Sequence, residues 1–173
     1  MNIKSQTPGQ LFSMMYESSH LDPAEVKRLE ALVEQTPDDL LSRAVLIGHY
    51  YYKSGAEEFR AEHVNWQKHM RWLVENKPAE PLLGKIGDMV IDGLDPVFYK
   101  DLSALWGQKI ESEPSNAQIL ANAAACSMIS DLPQARRFII RAMLIAPDDN
   151  EVRRIERAIS SLEQPHSTGR PDG

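Results

Sequence analysis

The sequence predicts an all-α chain of about three antiparallel helical hairpins stacked side by side, with an N-terminal helix before them and a C-terminal capping helix after. Three observations predict it. Apolar helical turns end at proline four times, at Pro37, Pro78, Pro114 and Pro147, roughly 41, 36 and 33 residues apart, each interval close to one helical hairpin. Apolar residues recur at three-and-four spacing along most of the chain, and no comparable stretch alternates apolar with polar residues as a half-buried strand would. The 173 residues, 42% of them apolar, suit one core better than two.

Residues 1–21 read as a partly ordered N-terminal segment ahead of a repeat domain spanning 22–162. Asp22-Pro23-Ala24-Glu25 opens the first helix: Asp22 can accept free amides, Pro23 suits the first helical position, and Glu25 is placed to reach back as in a capping box. Val26, Leu29, Leu32 and Val33 then fall on one face. The first hairpin follows Pro37, with one helix from Leu40 to Lys53, a turn at Ser54-Gly55, and a long return helix from Ala56 to about Asn76. The second runs from Pro81 to Asp92, turns through Gly93-Leu94, and restarts at Asp95-Pro96 in a helix carrying Tyr99, Leu102, Leu105, Trp106 and Ile110. In the third, Ile119, Ala123 and Cys126 line one helix, and Asp131 caps another whose Ala135, Phe138, Ile139, Ala142 and Ala146 keep helical spacing. Asp148 and Glu151 open a last helix with a narrow stripe of Val152, Ile155, Ile159 and Leu162, the character of a cap on a stack. The polar tail, 163–173, is rich in proline and glycine and reads as disordered.

Two of these hairpins resemble the tetratricopeptide repeat family. Ile47-Gly48-His49-Tyr50-Tyr51 is similar to its Leu-Gly-x-x-Tyr signature, with Gly48 as the close-packing residue and Tyr51 as the bulky one. Ala123, Ala135, Phe138 or Ile139, Ala142 and Pro147 resemble the small-residue and proline pattern of another repeat, while Gly84 and Gly87 make the second hairpin depart from it. The likeness covers roughly residues 38 to 147, and the block His63 to Gly84 resembles one in bacterial tetratricopeptide-like proteins of no assigned function. The resemblance implies an α-α superhelix with a concave groove, lined by the first helix of each hairpin, that holds a peptide or helix of a partner. By helical phase, His49, Tyr52, Lys53, Asp88 and Asp92 are expected to face that groove, with Ala124, Ser127 and Met128. The family's clamp for a terminal carboxylate is not expected, because Val45, Gly84 and Leu120 stand where polar donors are wanted.

Other residues invite chemistry and are weighed against plainer roles. His63 and His69, six apart on one helix, point about 120° from each other, whereas metal-binding histidines on a helix face want three or four; they read as solvated or packing residues. Trp72 shares a polar stripe with Asn65, His69 and Asn76 and is either a partner-binding anchor or packed on the next hairpin. Cys126 lies on an apolar face with no base beside it and reads as a buried thiol. Asp38-Asp39 and Asp148-Asp149 follow helix-ending prolines, where carboxylates cap the next helix. The arginines of the last third, 136, 137, 141, 153, 154 and 157, are interspersed with acids and read as a solvated mixed face. No phosphate loop, nucleophile elbow, paired-cysteine motif or HExxH helix occurs.

Lysine plus arginine number 19 against 25 aspartates and glutamates, a net charge of −6, which disfavours nucleic acid and suits a basic or neutral protein partner. One cysteine makes no internal disulfide, and neither a secretory signal nor a membrane-spanning run is evident, so the expected compartment is the cytoplasm. The expectation is a non-catalytic interaction module without cofactor or metal. The alternative is a self-associating structural subunit or homodimer, using Trp72 or the terminal stripe of Val152, Ile155 and Ile159.

Overall fold

A side-chain acceptor followed by proline, repeated along the chain, sets where its helices begin. The computed structural model describes residues 7–53, 59–90 and 93–163, and the regular structure among them is all helical, with no strand. Helix α1 (Pro8–Glu17) is closed by a capping box: Thr7 accepts from the Gln10 amide at 3.3 Å, and the Gln10 side chain accepts from the Thr7 amide at 2.8 Å. In α2 (Pro23–Gln35) one Asp22 oxygen accepts from the amides of Ala24 and Glu25, both at 2.9 Å. Glu25 does not reach back as expected; it pairs with Arg28 at 2.7 Å instead. Helices α3 (Leu40–Lys53) and α4 (Phe59–Asn76) follow, the Ser54-Gly55 turn lying outside the described residues. Helix α5 (Pro81–Ile86) tightens into a 3-10 turn at Gly87–Met89. Asp95, Asn116, Asp131 and Asp149 then cap α6 (Pro96–Ser112), α7 (Ala117–Ser127), α8 (Leu132–Ile145) and α9 (Asn150–Glu163), each cap being worth about 1 kcal/mol. The tail from 164 onward lies outside the described residues.

Helix α3 packs on α4 and α7 on α8, as hairpins should. Helix α5 behaves otherwise. It lies chiefly on α7 and α1, not on α6, and its expected extent to Asp92 is cut short. Gly87 permits the contact with α7: a Cβ there would stand 2.7 Å from the Ala125 carbonyl oxygen and 2.7 Å from the Cys126 nitrogen, so two backbones meet with no side chain between them.

The inner face expected to be an open groove is covered by the chain itself. Helix α1 packs along α3 and reaches α5. At Gly48 a Cβ would fall 2.6 Å from Met15 Cα, so the small residue of the repeat-like signature admits α1. From the other end α9 packs on α7 and α8 and reaches α5, where Arg154 Nη2 donates to the Gly84 carbonyl at 2.8 Å and Lys85 pairs with Glu151 at 3.2 Å. Helix α7 is consequently buried on all sides, every residue from Ile119 to Ser127. Ala124 and Ser127, expected to face a groove, lie inside the core, and Met128 is half-buried.

The terminal stripe turns inward too. Val152, Ile155 and Ile159 are buried, so they pack within the chain and present no surface to a second copy. No helix among the described residues is long and apolar enough to cross a membrane.

Two glycines separate close packing from helix propensity. Gly48→Ala should lower stability in urea by about 1–3 kcal/mol, because the methyl meets the α1 backbone. Gly107→Ala, within α6 and with nothing near its Cβ position, should raise stability by up to about 1 kcal/mol. Equal effects at both sites would contradict the α1 placement.

Candidate functional site

Charged groups become buried where α2, α3 and α4 meet, and each is matched to a partner. Arg43 is 3% exposed; its Nη1 donates to His69 Nδ1 at 3.1 Å and its Nη2 to the Pro37 carbonyl at 3.0 Å. Arginine only donates, so His69 Nδ1 carries the lone pair and Nε2 carries the proton. That proton is given to Glu30 Oε1 at 2.9 Å, where the Tyr50 hydroxyl also donates at 2.8 Å, while Lys68 holds Oε2 at 3.1 Å. Trp72 closes the network, its ring 3.6 Å below the Arg43 guanidinium in a cation–π contact.

This wiring determines the protonation states. Burial opposes the Glu30 charge, but hydrogen bonds from His69 and Tyr50, with Lys68 beside them, prevail and hold its carboxyl down at about 2. Burial pulls His69 below the ordinary histidine value, and Arg43 and Lys68 pull the same way. Both imidazole nitrogens are engaged, so His69 serves as a strut and has no free nitrogen for proton transfer.

A second feature opens at the far end of α3. Tyr51 and Tyr52 from α3, Trp66 from α4 and Phe98 and Tyr99 from α6 line a recess of about 290 Å³, with Asp95 in its wall. Tyr51 and Tyr52 meet edge to face at 5.2 Å, and so do Trp66 and Phe98 at 5.4 Å. His63 stacks on Trp66 at 5.2 Å and lies 3.3 Å from Asp95 Oδ2. Gln67 also donates to that oxygen, and the other caps the Phe98 amide at 2.9 Å. The Trp66 indole nitrogen is buried with no hydrogen-bond acceptor. Burial raises the Tyr51 and Tyr52 phenols above the usual range, and Asp88 adds to this in both. Asp88 is exposed as a residue, yet partial burial lifts its own carboxyl upward.

The structure separates the residues expected to line one groove. His49 is 1% exposed, its Nδ1 3.1 Å from the Ser18 carbonyl; it packs beneath the N-terminal segment and offers nothing to a partner. Trp72 is half-buried against the core with its ring under Arg43 of its own hairpin, so it is not a free anchor. Lys53 is exposed but borders a separate depression between α2 and α3. Tyr52, 38% exposed, forms part of the recess, and Asp88 acts on it electrostatically. Asp92 lies outside the described residues.

The thiol of Cys126 is buried, and burial pushes it up to about 12, which leaves it protonated and unreactive at neutral pH. No group of three or more His, Cys, Asp or Glu among the described residues is placed to hold a metal ion.

The chain matches no family model, no curated protein and no solved structure.

Sequence reasoning passed over Glu30 and Arg43, although both carried a signal. Arg43 shares a helical face with Ile47 and Tyr50, and Glu30 with Val26 and Val33, so each is a charge at the edge of an apolar stripe. The recess had no such signal, being assembled from separate elements far apart in sequence.

A pH dependence follows from the network. The unfolded chain protonates His69 near the ordinary histidine value of 6.5, whereas the folded chain resists, so stability is present above that value and falls as pH drops through it. Glu30 adds a second loss from 4.5 toward about 2. Urea midpoints should therefore fall between pH 7 and pH 5, and His69→Gln should flatten that fall while lowering stability at pH 7; an unchanged slope in the variant would remove His69 from the account.

Proposed function

We propose that this chain is a non-catalytic, cytoplasmic helical interaction module, tetratricopeptide-like in its hairpin pattern, that receives a projecting side chain of a partner protein in the aromatic recess between α3, α4 and α6. The observation that carries this reading is the gathering of five aromatic rings around about 290 Å³, with Tyr52 and Leu94 exposed at the surface. Aromatic side chains offer large area at low conformational cost, and binding energy concentrates in such pockets. A covered inner face argues for this end of α3 as the meeting place. The network of Arg43, His69 and Glu30 supports the recess by fixing α4 against α3, which sets Trp66 relative to Tyr51.

Catalysis is disfavoured by the state of the reactive groups. His69 is engaged at both nitrogens, Asp95 is occupied as a helix cap, and the Cys126 thiol is buried away from any base.

Affinity capture from source-cell lysate, quantified by mass spectrometry, tests the proposal. A partner held by the unaltered chain and by Leu144→Ser, a change outside the recess, should drop at least about tenfold with Tyr52→Ala. A partner set indifferent to Tyr52→Ala would remove the recess as the binding surface.

A further inference from the structure

The outer side of α8 is a second surface, and none of its residues lines the recess. Ala135, Ile139 and Ala142 bury one side of this helix, which packs on α7 and α9. The opposite side carries Arg137, Ile140, Arg141 and Leu144, all exposed; at 80%, Leu144 is the most exposed large apolar residue among the described residues. Four-residue spacing sets two short rows side by side, Arg137 with Arg141 and Ile140 with Leu144, the members of each about 6 Å apart along the axis. A cationic row therefore runs beside an apolar one.

The arginines of the last third of the chain, alike in sequence, differ in the fold. Arg136 pairs with Glu156 at 3.3 Å and with Glu163 at 3.7 Å, Arg154 pairs with Glu151 at 2.8 Å, and Arg153 pairs with Asp148. Among the described residues Arg137 has no hydrogen-bond or ion-pair partner, and Arg141 makes only a 3.4 Å bond from Nη2 to the Pro114 carbonyl. Both guanidiniums keep donors free for a carboxylate.

We infer that this face docks an acidic amphipathic helix of a partner protein, with carboxylates one turn apart against Arg137 and Arg141 and an apolar row against Ile140 and Leu144. A partner helix repeats its side chains at the same rise, so acids at i and i+4 meet both arginines while the apolar ridges lie against each other. The planar guanidinium matches a carboxylate through two parallel hydrogen bonds. The chain's net charge of −6 opposes this little, because charges more than about 8 Å apart are screened at physiological salt. Nucleic acid is the weaker fit: its affinity comes from many phosphate contacts, and this face offers two arginines beside an apolar row.

The test titrates two fluorescently labelled helical peptides into the full chain and follows their anisotropy. Both carry leucines at i and i+4 on an alanine background; the row beside the leucines is glutamate in one and glutamine in the other. The glutamate peptide should bind saturably and about fivefold or more tightly than its glutamine counterpart, a preference lost at about 1 M salt. Arg137→Gln combined with Arg141→Gln should erase the preference, Arg137→Lys combined with Arg141→Lys should keep most of it, and Leu144→Ser should weaken both peptides. Equal affinity for the two peptides, or a preference that survives the glutamine substitutions, overturns the inference. So does tighter binding of a labelled uridine oligonucleotide than of the glutamate peptide, which would make the face a nucleic-acid site. A concentration-dependent dimer in light scattering, lost with the glutamine substitutions, overturns it too by making the occupant a second copy. The recess is tested by Tyr52→Ala, outside this face, so the two surfaces stand or fall separately.

Discussion

Two places where helix backbones touch without an intervening side chain govern this structure. At Gly48 the missing Cβ lets α1 settle against α3, and at Gly87 it lets the end of α5 meet the middle of α7. A methyl at either site would overlap main-chain atoms, which have no rotamer to change. Because these approaches are so close, the inner face of α3, α5 and α7 is filled by α1 from one end and α9 from the other. The partner-binding question therefore moves away from that face to the ends and outer sides of the helices.

The same closeness explains the pattern of burial. Helix α7, with alanine at 121, 123, 124 and 125, is surrounded and can be small on every side. Where α2, α3 and α4 meet, the residues are larger and charged, and there Arg43, His69 and Glu30 are joined in one hydrogen-bonded chain, with Arg43 Nε left without an acceptor. A buried charge without a partner costs several kcal/mol, so this junction tolerates little rearrangement. That rigidity is inherited by Tyr51 and Trp66, next along the same two helices, and hence by the recess they border.

Much of the architecture could be read from the chain, because local rules decide it. The helix starts at Asp22, Asp95 and Asp131 follow from an acceptor and a proline close behind, and the structure has them. Cys126 and the inward stripe of α8 follow from periodicity. Helix α1 was legible but unread: Thr7-Pro8-Gly9-Gln10 is a capping box with proline at the first helical turn. What local rules cannot supply is which helix covers which. His49 was expected in a groove because phase tells which residues share a face, while only tertiary contact tells that α1 and the Ser18–His20 turn lie on that face. The stripe of Val152, Ile155 and Ile159 was offered to a second copy for the same reason. The recess belongs wholly to this second kind of information, since Tyr52, Trp66 and Phe98 become neighbours only once α4 and α6 are in place.

The account stands on α1 being an integral wall of the fold, and amide hydrogen exchange on the intact chain addresses that most directly. Amides of Leu11 to Glu17 should exchange within about tenfold of those in α3, opening in the same cooperative event. Exchange of α1 at the rate of a free segment, with α3 still protected, would mean that the inner face is open in solution, and the placement of Gly48 against Met15 would have to be given up.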